Sequence, residues 1–72
     1  MDIDTFYKKI GKNIKQIREQ RHLTQEALAE KAAISQDFLG KIEVCINHPG
    51  LKTIYKLSKA LDIEPYELLK FD

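Results

Sequence analysis

The sequence lacks the disulfide-forming cysteines and metal ligands that often stabilise a small domain in addition to its apolar core. Its 72 residues include one cysteine, two prolines and three glycines, and the net charge is only +1. The single Cys45 excludes an internal disulfide, and together with two histidines it falls short of the four ligands of a structural zinc site. We therefore expect no metal, no cofactor and a reducing, intracellular environment.

Membrane spans and catalytic motifs are also missing. No apolar run approaches the ~18 residues of a transmembrane helix, and the N-terminal segment MDIDTFYKK has acidic residues where a signal peptide would be basic. There is no glycine-rich phosphate loop and no nucleophile motif, and so short a chain has little room for a deep cleft. These absences predict a cytoplasmic protein that contacts no membrane, is not an enzyme and has no evident site for a small-molecule effector.

The composition is that of one small globular domain, which we place at residues 1–72 with a core over about residues 6–70. Hydrophobic residues make up 43% and charged residues 32% of the chain. Basic side chains concentrate in the first third and acidic ones in the last part. The near-neutral total is unlike many nucleic-acid-binding domains, and the asymmetry taken alone favours ordinary solvated helix faces.

Apolar residues recur at helical spacing in the first part of the chain. Between about residues 5 and 21 they form one stripe, which consists of Phe6, Ile10, Ile14 and Ile17. A short second helix is predicted after the N-cap Thr24 and ends near Lys31. A third follows the N-cap Ser35 and runs from about residue 36 to 43.

The second part of the chain begins with a break in the pattern. The segment VCINHPG, with Pro49 and Gly50, predicts a loop. A fourth helix is expected at the spacing of Leu51, Ile54, Leu57 and Leu61. A short fifth helix should begin at Pro65 and carry Tyr66, Leu68, Leu69 and Phe71 as its apolar residues. The sequence therefore predicts an all-α domain of five helices without strands.

Helices two and three are too short to be stable alone, so packing must hold them. If Leu28, Leu39 and Ile42 are buried together, a polar row faces outward on helix three, made of Gln36, Asp37, Gly40 and Lys41. Such a row can enter the DNA major groove, where glutamine bonds adenine bidentately and lysine reaches guanine acceptors or a phosphate. The preceding helix would then lie across the DNA backbone.

Four segments, IGKNIKQIREQ, LTQEALAEKA, ISQDFLGKIE and LKTIYKLSKALDIEPYELL, resemble helix-turn-helix regulators of the phage repressor and Cro type, the xenobiotic-response-element-like family. The resemblance extends from about Ile10 to Leu69. It implies a compact, five-helix, lambda-repressor-like domain with the helix-turn-helix at helices two and three. It also implies a bacterial or phage regulator, a repressor rather than an activator, that binds palindromic double-stranded DNA as a homodimer.

The same resemblance suggests roles for individual residues. The expected base contacts are Gln36, Asp37 and Lys41, and the expected DNA backbone contacts are Thr24, Gln25, Asn47 and Lys52. A structural ion pair is expected between Arg18 and Glu43. The dimer interface is expected at Tyr66, Leu69 and Phe71. So many apolar side chains on one short terminal helix are expected to be partly buried by a second copy of the chain.

The sequence departs from the family pattern in two places. Ala33 replaces the usual glycine between helices two and three, and a left-handed backbone there would cost about 1 kcal/mol relative to glycine. The loop VCIN lacks the usual basic residues, so Asn47, His48 and Lys52 are the residues that could contact phosphates in their place. Asp37 either accepts a hydrogen bond from a cytosine amine or acts as a helix-terminus charge, and the sequence leaves both open.

Several alternatives accompany this interpretation. Phe38 could touch a thymine methyl group, but we expect it to pack against a neighbouring helix. A metal or redox switch at Cys45 and His48 is not expected, because further ligands are missing. The main rival function is an antitoxin-like or adaptor module that uses the SQDFLGK face or the C-terminal helix to hold a protein. RNA binding lacks the exposed stacking aromatics that single strands need.

Overall fold

The computed structural model describes residues 1–71, and in that part of the chain all regular structure is helical. Four α-helices and one 3₁₀ helix follow one another there: α1 (Ile3–Gln20), α2 (Gln25–Ala32), α3 (Gln36–Glu43), α4 (Leu51–Ala60) and a C-terminal 3₁₀ helix (Pro65–Leu68). The predicted all-α class is confirmed. None of these helices is long and apolar enough to cross a membrane.

The predicted fifth helix is a 3₁₀ helix of only four residues and not an α-helix. Pro65 begins it, as expected. The backbone N–H of Glu64 donates a 2.8 Å hydrogen bond to the side-chain carboxylate of Glu67. The tighter i to i+3 bonding closes the turn at once, with Leu69 N–H donating to the carbonyl of Tyr66 at 3.0 Å. The five-helix count therefore holds only if this turn is included.

Polar side chains cap the starts of the first three helices. Asp2, Thr24 and Ser35 each accept a hydrogen bond from the backbone N–H three residues later, at 2.8–3.0 Å. The caps predicted at Thr24 and Ser35 are confirmed. The cap at Asp2 was not predicted, and it explains why α1 begins at Ile3. The hydrogen bonds from Thr5 lower the pKa of the Asp2 carboxyl group.

All four α-helices in the described part of the chain end in the same way, although none uses glycine. A residue with φ between 57° and 63° follows each helix, and an aliphatic residue comes next. The aliphatic N–H donates to the carbonyl five residues earlier at 2.8–3.1 Å, as in a Schellman motif. The pairs are His22-Leu23, Ala33-Ile34, Cys45-Ile46 and Asp62-Ile63. Ala33 thus adopts the left-handed conformation considered from the sequence, with φ 57° and ψ 44°.

All five helices surround the core: α3 packs against α1 and α2, α4 packs against α2 and the 3₁₀ helix, and the 3₁₀ helix also contacts α1. Its buried Ile and Leu side chains are Ile10, Ile14, Leu28, Leu39, Ile42, Ile54, Leu57, Leu61 and Leu68. Burial of each such side chain contributes roughly 1.5–3 kcal/mol relative to exposure. Phe38 is half-buried and packs against this core, in line with the favoured expectation.

Gly11 of α1 lies very close to the backbone of α3. A Cβ atom there would lie 2.5 Å from the carbonyl oxygen of Ile42 near the end of α3. Only a residue without a side chain fits this position unless the backbone shifts. The absence of a side chain at Gly11 therefore determines how closely α1 packs against α3.

Candidate nucleic-acid interface

The exposed side of α3 borders a shallow groove on the surface. The polar row predicted from the sequence lines it, and Gln25 of α2 and Val44 at the end of α3 complete the lining. All three predicted base-contacting side chains, Gln36, Asp37 and Lys41, are exposed there. The structure thus brings these three residues together on one accessible face.

Two of these side chains contact each other. The Nζ atom of Lys41 lies 3.0 Å from Oδ2 of Asp37, one helical turn away, and the side chains are 46% and 78% exposed. An exposed pair at this spacing is worth only about 0.3–0.5 kcal/mol. A ligand with its own charges and hydrogen-bonding groups can therefore separate the pair at little cost.

A second ion pair lies under the same helix. Arg18 of α1 donates from Nε to Oε2 of Glu43 at 2.8 Å and from Nη2 to Oε1 at 3.0 Å. The side chains are only 9% and 1% exposed. Arg18 also donates from Nη1 to the carbonyl of Leu23 at 2.8 Å. The hydrogen bonds with Glu43 raise the pKa of the Arg18 guanidinium, which therefore stays protonated.

Gln25 belongs to this buried network. Its Nε2 atom donates to Oε1 of Glu43 at 3.0 Å, so Glu43 accepts hydrogen bonds from both α1 and α2. The side chain of Gln25, which we expected to contact a phosphate, is therefore engaged within the protein. The sequence carried no signal for this contact, since the two residues are 18 positions apart on different helices.

The other predicted backbone contacts, Thr24, Asn47 and Lys52, are not among the residues that line the groove. Thr24 is exposed and uses its hydroxyl oxygen as the cap of α2. Lys52 is exposed in the first turn of α4, whereas Asn47 is half-buried in the loop. The ring of His48 stacks on Tyr7 of α1, with centroids 3.8 Å apart and planes 4° from parallel. Sequence reasoning missed this stack, which holds the loop against α1.

The predicted dimer residues differ in how far they are exposed. Tyr66 is 65% and Leu69 is 38% exposed. Phe71 instead packs edge-on against Phe6 of the same chain, with centroids 5.7 Å apart. Asn13 holds this end of the chain by donating from Nδ2 to the backbone carbonyls of Leu68 and Lys70, at 3.1 and 2.9 Å.

Helix α4 also exposes large apolar side chains, and the sequence analysis did not predict this exposure. Leu51 is 82% and Tyr55 is 56% exposed, and the two lie one turn apart. In the loop before α4, Ile46 is 68% exposed. The apolar surface open to a partner is therefore wider than the last helix alone. Among the described residues, no three His, Cys, Asp or Glu side chains form a cluster that could hold a metal ion.

Comparisons with known proteins agree with this architecture. A sequence profile described as helix-turn-helix matches residues 14–68. The immunity repressor protein of Bacillus phage phi105 is 44% identical over 55 residues, which cover 76% of this chain and 38% of that protein. The control protein C.BamHI of Bacillus amyloliquefaciens is 34% identical over 62 residues, covering 85% of this chain and 76% of its own. The chain thus spans about two fifths of the phage relative and three quarters of the control protein.

Solved structures give the same picture. The restriction-modification controller protein C.AhdI from Aeromonas hydrophila has 35% identity and a TM-score of 0.84, with 86% of this chain and 94% of that one covered. SinR, a master regulator for biofilm formation solved in complex with DNA, has 34% identity and a TM-score of 0.80, with 85% and 98% covered. These proteins are regulators and not enzymes.

Proposed function

This chain belongs to the helix-turn-helix family, and from that premise we propose that it is a transcription regulator, specifically a repressor, that binds double-stranded DNA sequence-specifically. In this proposal α2 and α3 form the helix-turn-helix, with α3 in the major groove and α2 across the DNA backbone. The observation that carries the proposal is the exposed polar face of α3, which the buried pair of Arg18 and Glu43 fixes from below.

The side chains of α3 suit distinct base edges. Gln36 has the donor and acceptor that pair bidentately with adenine, and Lys41 can donate to guanine O6 and N7. Asp37 can accept a hydrogen bond from a cytosine amine once Lys41 has moved to a base. Because Asp37 and Lys41 are already adjacent, we infer that they read neighbouring base pairs.

Contacts with phosphates would come mainly from helix N-termini. The first N–H groups of an α-helix have no partner within the helix and attract anions. Since the side chain of Gln25 bonds Glu43, a phosphate at the start of α2 would meet backbone N–H groups and the hydroxyl of Thr24. Lys52 in the first turn of α4 and Asn47 in the loop would extend these contacts.

We further propose that the protein acts as a homodimer on a palindromic site. A two-fold dimer places two reading helices roughly 34 Å apart, one turn of DNA. The exposed Tyr66 and Leu69 support an interface near the C-terminus, and Leu51 and Tyr55 on α4 offer further apolar surface. In the interface Phe71 would contribute through its packing on Phe6, which holds the chain end in place.

The test is selection of bound duplexes from a random DNA library at near-physiological salt. We expect the unmutated protein to enrich a two-fold-symmetric motif and the variant Gln36→Ala/Lys41→Ala to lose it. The matched control is Lys15→Ala/Gln20→Ala, which removes the same two side-chain types from exposed positions on α1 and should keep the motif. A folded protein that enriches no duplex would contradict sequence-specific binding.

A protein-interaction module is the second candidate, favoured by the exposed apolar side chains of α4 and the C-terminal segment. Salt distinguishes the two functions. DNA binding weakens steeply as salt rises, because neutralised phosphates release counterions, whereas an apolar protein interface does not. Binding that persists unchanged across salt concentrations and survives Lys41→Ala would favour the second candidate.

A further inference from the structure

Val44 is an apolar residue at the end of an otherwise polar face. It follows the last residue of α3, is 66% exposed and borders the same groove as Gln36 and Lys41. It is not among the residues that form the core or pack against it. The fold therefore gives no reason for an aliphatic side chain here.

The backbone holds Val44 in a fixed direction. Its N–H donates to the carbonyl of Gly40 at 3.2 Å, which continues the helical bonding by one residue. The next residue, Cys45, turns into the left-handed region with φ 63°, and the N–H of Ile46 then donates to the carbonyl of Lys41 at 2.8 Å. A β-branched side chain has little rotational freedom at χ1. Val44 consequently presents a rigid apolar surface to the groove.

We propose that Val44 contacts the C5-methyl group of a thymine in the major groove and so determines one base pair that the polar side chains do not read. The inference rests on the proposed function of α3. The thymine methyl is the apolar group that the base edges offer in this groove. At a rise of about 1.5 Å per residue, Val44 lies roughly 4.5 Å along the helix from Lys41. That distance corresponds to about one base-pair step.

The test replaces thymine by deoxyuridine, which lacks only the methyl group, one position at a time in the enriched duplex. Fluorescence anisotropy then measures Kd for each duplex. We expect one thymine per half-site at which this change weakens binding by unmutated protein about fourfold, the factor for one buried methyl group. Val44→Ala should bind the thymine and deoxyuridine duplexes equally well at that position. Val44→Thr, which keeps one methyl group, should show an intermediate difference.

Ile46→Ala is the matched control. Ile46 is exposed to a similar degree, 68%, two residues further on, but does not line the groove. This variant should keep the full sensitivity to deoxyuridine. Thermal melts of all variants check that the fold is intact.

Two results would overturn the inference while leaving the proposed function in place. One is that Val44→Ala remains as sensitive as the unmutated protein to removal of the methyl group at every thymine. The other is that Val44→Ala weakens binding to every duplex equally, which is the result expected if Val44 contacts a sugar and not a base. Failure to enrich any duplex, or an enriched motif that survives Gln36→Ala/Lys41→Ala, would instead contradict the reading role of α3 and this inference with it.

Discussion

Two ion pairs of nearly equal length lie on opposite sides of α3. The pair between Arg18 and Glu43 on the inner side measures 2.8 Å, and the pair between Asp37 and Lys41 on the outer side measures 3.0 Å. Their exposure differs greatly, because Arg18 and Glu43 are 9% and 1% exposed, whereas Asp37 and Lys41 are 78% and 46% exposed. Burial, not distance, separates a pair that fixes the fold from one that a ligand can open.

The hydrogen bonds around the two pairs reinforce this difference. Glu43 accepts from Arg18 twice and from Gln25 once, so its carboxylate is compensated from two helices. Asp37 and Lys41 have only an intrahelical contact, and water competes for both. In the proposed function the inner pair therefore holds α3 in place while the outer pair rearranges on DNA.

The largest expected effect is on the inner pair. Glu43→Ala leaves Arg18 buried without its partner, and we expect unfolding to become easier by about 3–5 kcal/mol. A loss of that size is a large fraction of the total stability of a small domain, which is on the order of 5–15 kcal/mol. Chemical denaturation followed by circular dichroism measures it. Lys41→Ala, which breaks the outer pair, should change stability by less than about 0.5 kcal/mol. Equal melting of Glu43→Ala and unmutated protein would refute the contrast.

A second prediction compares two glycines on the two sides of α3. Gly11→Ala brings a Cβ to 2.5 Å from a backbone oxygen of α3, and we expect a loss of about 1–3 kcal/mol. At Gly40, on the outer side, the nearest atom to a new Cβ is a side-chain oxygen of Gln25 at 3.4 Å. Gly40→Ala should instead gain about 0.5–1 kcal/mol from helix propensity. Thermal melts of both variants give the sign, and a stable Gly11→Ala would show that α1 and α3 can separate freely.

The third prediction concerns DNA binding by the outer pair. Lys41→Ala should weaken binding to the enriched duplex by about 1–3 kcal/mol, since a bidentate base contact is lost. Anisotropy titrations at one fixed salt concentration measure this. Lys15→Ala, an exposed lysine on α1, serves as the control for net charge. If both variants lose affinity equally, Lys41 contributes only its charge.

The smallest expected effect is at the turn before α3. Ala33 has φ 57°, so Ala33→Gly should relieve strain and stabilise the fold by up to about 1 kcal/mol, reduced by the added freedom of the unfolded chain. Ala32→Gly, one residue earlier in helical conformation and buried, should destabilise it. The expectation fails if both glycine variants shift the melting temperature in the same direction.

Local features explain why so much of the fold was predictable. Thr24 and Ser35 act on N–H groups three residues away, so their effect is visible in a short window of sequence. The short helix predicted at Pro65 is present, and its 3₁₀ form was not predicted because the same apolar residues suit either kind of helix. The repeated helix ending, a left-handed residue before an aliphatic one, went unrecognised because glycine is the usual signal and is absent from it.

The candidate site was predictable only in part. The exposed row of Gln36, Asp37 and Lys41 follows from helical period and capping alone. The engagement of Gln25 with Glu43 and the stacking of His48 on Tyr7 join residues far apart in the chain. No spacing rule connects such residues, because their contact depends on how the helices pack.

The sequence by itself determined where the α-helices form and which faces are apolar, because caps and helical periodicity act over a few residues. Only the tertiary structure decided which charges became structural. Asp37 and Glu43 are both carboxylates on α3, and Glu43 is buried beside Arg18 while Asp37 remains in water beside Lys41. That assignment arises because the packing of α1 and α2 removes one side of α3 from solvent and leaves the other open.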